Sequence, residues 1–289
     1  MKSLMVFKLI VIPYMLLAAS TANDWKKEYT PIIHKIADRS IKAKFVSIGG
    51  YSGNCVVLDM DNMTNKEQKI LVEAGDKLMC ENEEMQNIFI TQTQYIVLAP
   101  NATKRNTVFG FCCAHDKSAP SKEVAFRYTD DTLTKELKLA HYLNSHRLLD
   151  LSAVQHAVWV VCNDANIDGI YAEDMASIQE LKKLVADITG KEIPWYTKKY
   201  DIDSLGRLQE TSSKLIAIMD FNLAKESEVT VQITDAQQVV LKVPMQERLL
   251  QRGHYDYQFT WETNRLPKGT YMARVFCDGQ MIQEKTIML

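Results

Sequence analysis

The chain has 289 residues, a formal net charge of −2 and 46% hydrophobic residues. That is the composition of a globular protein, and the near-neutral balance argues against a nucleic-acid role. No low-complexity tract, heptad run or clear internal repeat is present.

The chain opens with MKSLMVFKLIVIPYMLLAASTA. Lys2 and Lys8 supply a basic start, Leu9 to Leu17 an apolar core, and Ser20-Thr21-Ala22 a small-residue cleavage signal. Residues 1–22 therefore read as a secretory signal peptide, with the mature chain extracellular or on the outer cell surface. The apolar core is too short to span a bilayer and Pro13 interrupts it, so no transmembrane segment remains after signal removal. The mature chain is long enough for two domains. All six cysteines, Cys55, Cys80, Cys112, Cys113, Cys162 and Cys277, lie in this exported part, where disulfides can form. Their spacing gives no metal signature, because Cys112 and Cys113 are adjacent and no histidine sits at a ligand interval. No metal or cofactor is expected.

Asn23 to Ala43 reads as an entry segment with a short helix around Pro31 to Arg39. From Lys44 the pattern becomes β, with short alternating runs punctuated by Gly, Asn and Asp. In NCVVLDMDN, Val56, Leu58 and Met60 share one face. Gln86 to Pro100 makes one long strand or two, and RNTVFGFCC delivers Cys112 to the edge of the sheet. Six or so strands at this spacing predict a sandwich or a barrel. Asn62-Met-Thr and Asn101-Ala-Thr fit the N-glycosylation pattern.

After Asp116 the pattern turns helical. Lys135 to Leu149 is one helix-like segment. In Leu151 to Asp164, Val154, Ala157, Val158 and Val161 form a helical stripe, with Asp150 or Ser152 as N-cap. Ala172 to Ile188 is a third helix, closed by Gly190. Ile193 to Ser213 has mixed polarity and reads as a connection. The last residues return to β, with strands over Lys214–Phe221, Glu228–Thr234, Gln238–Val243, His254–Thr260, Gly269–Cys277 and Gln280–Met288. They predict a small sandwich of about seven strands. The fold class is α+β multidomain: a β-sandwich-plus-helices head over 23–200 (β-rich 44–116, helical 132–190), a linker over 201–213, and a C-terminal sandwich over 214–289.

Beside the apolar stripe of Leu151 to Asp164 runs a second one, Ser152, Gln155, Trp159 and Cys162. A glutamine there, if buried, needs partners for its amide; the bland reading is a satisfied core glutamine. Phe111-Cys112 followed by Val154-Gln155-His156-Ala157-Val158-Trp159 resembles the thioester domains of Gram-positive surface adhesins. The resemblance implies that Cys112 and Gln155 condense into an internal thioester, supported by Phe111 and Trp159, which a partner's amine can attack. The chain departs from that pattern at Val154, where the family usually has threonine, and at the second cysteine, Cys113. Cys162 lies two turns beyond Gln155, within reach of Cys112 or Cys113; a disulfide there, with Cys113 and Cys162 the candidate pair, would hold sheet to helix.

The C-terminal order VTVQITDAQQVVLKV, GHYDYQFTW and LPKGTYMARVFCDGQMIQEKTIML resembles the FlgD-like immunoglobulin fold. It is also similar to the C-terminal sorting domains of the Bacteroidetes type IX secretion system, through Pro267, Gly269 and Tyr271 before a final hairpin. Together the resemblances imply an immunoglobulin-like C-terminal domain on a secreted or surface protein of adhesion type, whose partner is a surface protein or glycan. Two alternatives stand beside it. One is a non-covalent binding or structural protein held by disulfides. The other is a cysteine hydrolase using Cys112 or Cys113 with His115, His141 or His156 as base.

Overall fold

The computed structural model describes residues 24–289; the signal-peptide reading falls on residues outside these. A 3₁₀ turn at Asp24–Glu28 leads into nine strands, β1 (Thr30–Pro31), β2 (Ile41–Ser47), β3 (Ser52–Asn62), β4 (Gln68–Val72), β5 (Lys77–Cys80), β6 (Ile88–Ile90), β7 (Gln94–Leu98), β8 (Thr103–Cys112) and β9 (Ala125–Thr129). A short helix α1 (Ile32–Ala37) comes directly after β1. The predicted strand Gln86 to Pro100 is thus two strands.

The chain divides into two compact units. The first gathers residues 24–43, 60–72 and 94–104. Its sheet has the order β1-β4-β7, parallel then antiparallel. Ile32 of α1 is fully buried, and the rings of Trp25, Tyr29 and Tyr95 meet edge to face, with centroids 4.8–5.7 Å apart. Asn62, one of the two glycosylation-pattern asparagines, is buried here. Its Nδ2 donates to the carbonyls of Lys66, Leu98 and Ala99 at 2.8, 3.2 and 2.8 Å, so the amide a glycan would need is already committed. Asn101 is exposed.

The second unit, Lys44–Asp59, Glu73–Thr93 and Arg105–Leu289, holds the rest. Six strands close into a barrel, β2-β3-β8-β6-β5-β9. The sandwich expected for the head is therefore a barrel, because the last strand, β9, pairs back with both β2 and β5. Three helices cover it: α2 (Thr134–Ser145), α3 (Leu151–Asn163) and α4 (Gln179–Thr189). The third is shorter than predicted, its first turns being taken by a 3₁₀ turn at Met175–Ile178. It stops at Gly190 in the left-handed conformation, φ 72°.

Seven further strands complete the chain: β10 (Tyr196–Ile202), β11 (Leu208–Leu223), β12 (Ser227–Thr234), β13 (Val240–Leu250), β14 (Gly253–Glu262), β15 (Thr270–Cys277) and β16 (Gln280–Met288). They form two sheets, β10-β11-β14 and β13-β12-β15-β16, which share one core through Leu215, Met219, Phe259, Trp261, Val231 and Val275. Ile193 to Ser213, expected as a connection, instead forms β10 and the start of β11, paired from Tyr196↔Ala217 to Ile202↔Leu208. Part of its polarity belongs to residues that are buried but paired. Thr197 and Lys198 are both buried, and each has a specific polar partner. A polarity scan cannot tell such a strand from a solvated loop.

Candidate functional site

Helix α3 organises the site. Its start is fixed by Asp150, whose Oδ1 accepts the Ala153 N–H at 2.9 Å. The apolar stripe packs as predicted, yet burial does not stop there: every residue from Ala153 to Val161 is buried, Gln155 and His156 included. The barrel covers one side of α3, and α2 and α4 cover the other. A helix enclosed all round must give each polar side chain an internal partner.

Gln155 has one. It is fully buried, and its Nε2 donates to the Cys112 carbonyl at 2.7 Å. Its Oε1 is buried with no hydrogen-bond partner among the described residues. The structure thus brings the two predicted residues together through the Cys112 backbone. The Cys112 N–H is taken by the Tyr51 carbonyl at 2.8 Å, just before β3 begins, so its carbonyl is left for the helix.

The two adjacent thiols face opposite ways. Phe89, Phe111 and Cys113 share one core with Val154, Ala157, Val158 and Trp159 of α3. Cys112, opposite Ile88, alternates to the other face of β8 and so into the barrel, within electrostatic reach of Cys55. Burial raises the pKa of the Cys112 thiol well above its ordinary value and pushes that of Cys113 up to about 12. Cys113 Sγ donates to the Asn87 carbonyl at 3.2 Å. All six cysteines are free.

Next to Cys113 lies an ion pair, its acid buried and its lysine half-buried, that sequence reasoning missed. Lys77 Nζ is 2.7 Å from Glu136 Oε2, which also accepts the Leu133 N–H at 2.8 Å. The pKa of the Cys162 thiol is raised by burial, then by Cys113 and Glu136. Both charges also act on Cys113. A Glu three residues after Leu133, where α2 begins, was the available signal; nothing local ties it to Lys77.

Trp159 is buried with its indole N–H on Gln86 Oε1 at 3.2 Å. Gln86, also unforeseen, takes the Ala114 N–H at 3.1 Å and donates to the carbonyls of Lys117 and Gly206 at 2.9 and 3.1 Å. It fixes the loop that leaves β8.

The candidate bases are widely separated in setting. His156 is buried, its Nε2 on the Asn166 carbonyl at 2.9 Å and its ring stacked on Tyr200 at 5.8 Å. Burial pushes its pKa down to about 4, against the raising effect of that hydrogen bond. The ring presses on Gly169 so closely that a Cβ there would overlap it. Behind it, Lys198 and Asp168 form a buried pair at 2.9 Å, and Tyr200 OH donates to Asp168 Oδ1 at 3.4 Å. His115 and His156 line a surface cavity of about 270 Å³ with Asp164, Asn166, Glu210 and Lys268. His141 lies on α2, exposed.

Among the described residues, no cluster of three or more His, Cys, Asp or Glu side chains could hold a metal ion. No described helix is long and apolar enough to cross a membrane. No family model matches the chain, and no curated protein matches it.

Proposed function

We propose that this chain is an exported, surface or secreted binding protein of the adhesion type. Its barrel-and-helix head would capture an amine on a partner protein or glycan through an internal thioester made from Gln155. The observation that carries this reading is the fully buried Gln155, bonded by Nε2 to the Cys112 carbonyl, with its Oε1 left without a partner. Most buried side-chain amides are satisfied at both ends. Thiol and carboxamide condense with loss of ammonia, which turns a poor acylating group into an activated one. The enclosing core would keep water from the thioester until an amine arrives. The resemblance puts the sulfur on Cys112. The seven C-terminal strands, in sheets of three and four, suit an immunoglobulin-like spacer or sorting module of the FlgD-like kind.

The test is the intact mass of the unreduced mature chain. The expected result is a deficit of one ammonia that methylamine reverses, leaving an amide on Gln155. A mass explained by the sequence and disulfides alone, with Gln155 recovered intact, would refute the covalent reading.

A second reading, non-covalent binding by the same fold, is favoured by the cavity lined by His115, Asp164, Asn166, Glu210 and Lys268. Partner binding that persists in a Gln155→Leu variant would select it.

A further inference from the structure

We infer that the sulfur acylated by Gln155 is that of Cys113, not Cys112, and that the buried Glu136 carboxylate is the base that takes its proton. The inference rests on the covalent reading above and assigns its chemistry to different side chains.

Three observations carry it. The first is the side chains' direction. Gln155 projects from α3 and holds the carbonyl of the peptide bond between the two cysteines. On either side of that peptide the side chains diverge, and Cys113 is the one that shares a core with Val154, Val158 and Trp159 of α3. Cys112 lies across β8, among barrel residues. For Cys112 to reach Gln155, its thiol would have to come round the strand; Cys113 is already on the helix side.

The second is the supply of a proton acceptor. A buried thiol is a poor nucleophile until it is deprotonated, and burial disfavours the thiolate of both cysteines. On the Cys113 face stands Glu136, whose Oε2 is held by Lys77 and by the Leu133 N–H. Glu136 sits one turn before Leu139 and Ala140 on its helix, and these share the core that holds Cys113. The electrostatic neighbours of Cys112 are other cysteines, Cys55 first.

The third is the unpartnered Oε1 of Gln155. A carboxamide bonded only through nitrogen has a carbonyl free to change geometry as its carbon is attacked.

The step balances. Glu136 takes the proton of Cys113 Sγ–H, and the sulfur bonds to Gln155 Cδ. The Cδ–Nε2 bond breaks, and the departing nitrogen leaves as ammonia with the proton returned from Glu136. Nothing is oxidised or reduced.

The experiment uses the full mature chain, and identifying the sulfur needs no substitution. Free thiols are capped with one alkylating reagent, methylamine opens the thioester, and the thiol so released is labelled with a second reagent. Fragmentation of the peptide containing Cys112 and Cys113 then shows which sulfur carries the second label. The second label on Cys113, with methylamine on Gln155, is the expected result. The label on Cys112 overturns this inference and leaves the thioester reading standing. No second label and no ammonia deficit overturns both. A Cys113–Cys162 disulfide in the unreduced chain also overturns the inference. For Glu136, the Glu136→Gln variant should slow ammonia loss during refolding by roughly 10²–10⁴-fold, the usual range for removing a general base. Unchanged kinetics would overturn its role.

Discussion

Gln155 shows how much a single buried amide can decide. Its Nε2 is the donor that α3 offers to the Cys112 carbonyl. Replacement by alanine takes that donor away from a buried acceptor, so, against chain in which no thioester has formed, Gln155→Ala should destabilise the fold by about 1–3 kcal/mol in urea titration. Gln155→Glu should be worse at neutral pH, where acceptor faces acceptor, and should recover on acidification as the carboxyl gains a proton to donate. His156 provides a pH readout. Its folded pKa of about 4 lies below that of the unfolded chain, so the unfolded state binds the proton first. Its contribution is complete above about pH 6.5 and is lost as pH falls toward 4, amounting to roughly 3 kcal/mol. Asp76 runs the other way in part of the same window. Burial raises its pKa to about 6, so its contribution is complete below its unfolded value and is lost as pH rises through 6. The difference between wild type and a His156→Gln variant isolates the histidine. A difference that does not change between pH 7 and 4.5 would contradict this assignment. The candidate pair Gln155 and Trp159 was legible because both residues sit on a helical stripe. Glu136, Lys77 and Gln86 were not, since each finds its partners at separations that only the folded barrel creates.

At the scale of elements, α3 was legible from its stripe and its Asp150 cap, and Asp150→Ala should lower stability by about 1 kcal/mol. Its burial on every side was not legible, because periodicity reports the most apolar face and is silent on how many neighbours the helix has. Strand β10 was missed for the opposite reason. Its lysine reads as surface, yet Lys198 is buried against Asp168. Removing one member of that pair should cost about 3–5 kcal/mol, whereas Lys198→Met combined with Asp168→Leu should be close to neutral. Thermal melts of the two single variants and the double variant test this; a double variant as unstable as either single one would show that the pair itself is needed.

For the molecule as a whole, the β-to-helix-to-β succession was readable in chain order. The first compact unit was not, since residues 24–43, 60–72 and 94–104 come together from three separated stretches. No composition shift marks such a unit. The linker reading of 201–213 predicts early proteolytic cleavage there. The pairing of β10 with β11, and the bonds of Thr197 to Lys182 and of Lys198 to Asp168, predict resistance instead. Limited proteolysis with a low-specificity enzyme should spare residues 196–202 and 208–223 until global unfolding. An early, stable fragment beginning within 196–213 would support the linker.

The enclosure of α3 also sets a clock. Cys113 is sealed once the helix docks, so a bulky thiol reagent can reach it only when that region opens. In a Gln155→Leu variant, where no acyl bond can protect either sulfur, the alkylation rate of Cys113 would count how often α3 lifts away. Before docking, both thiols are open to any oxidant present. Whichever fate they meet is settled in the interval between the chain's emergence and the closing of one helix.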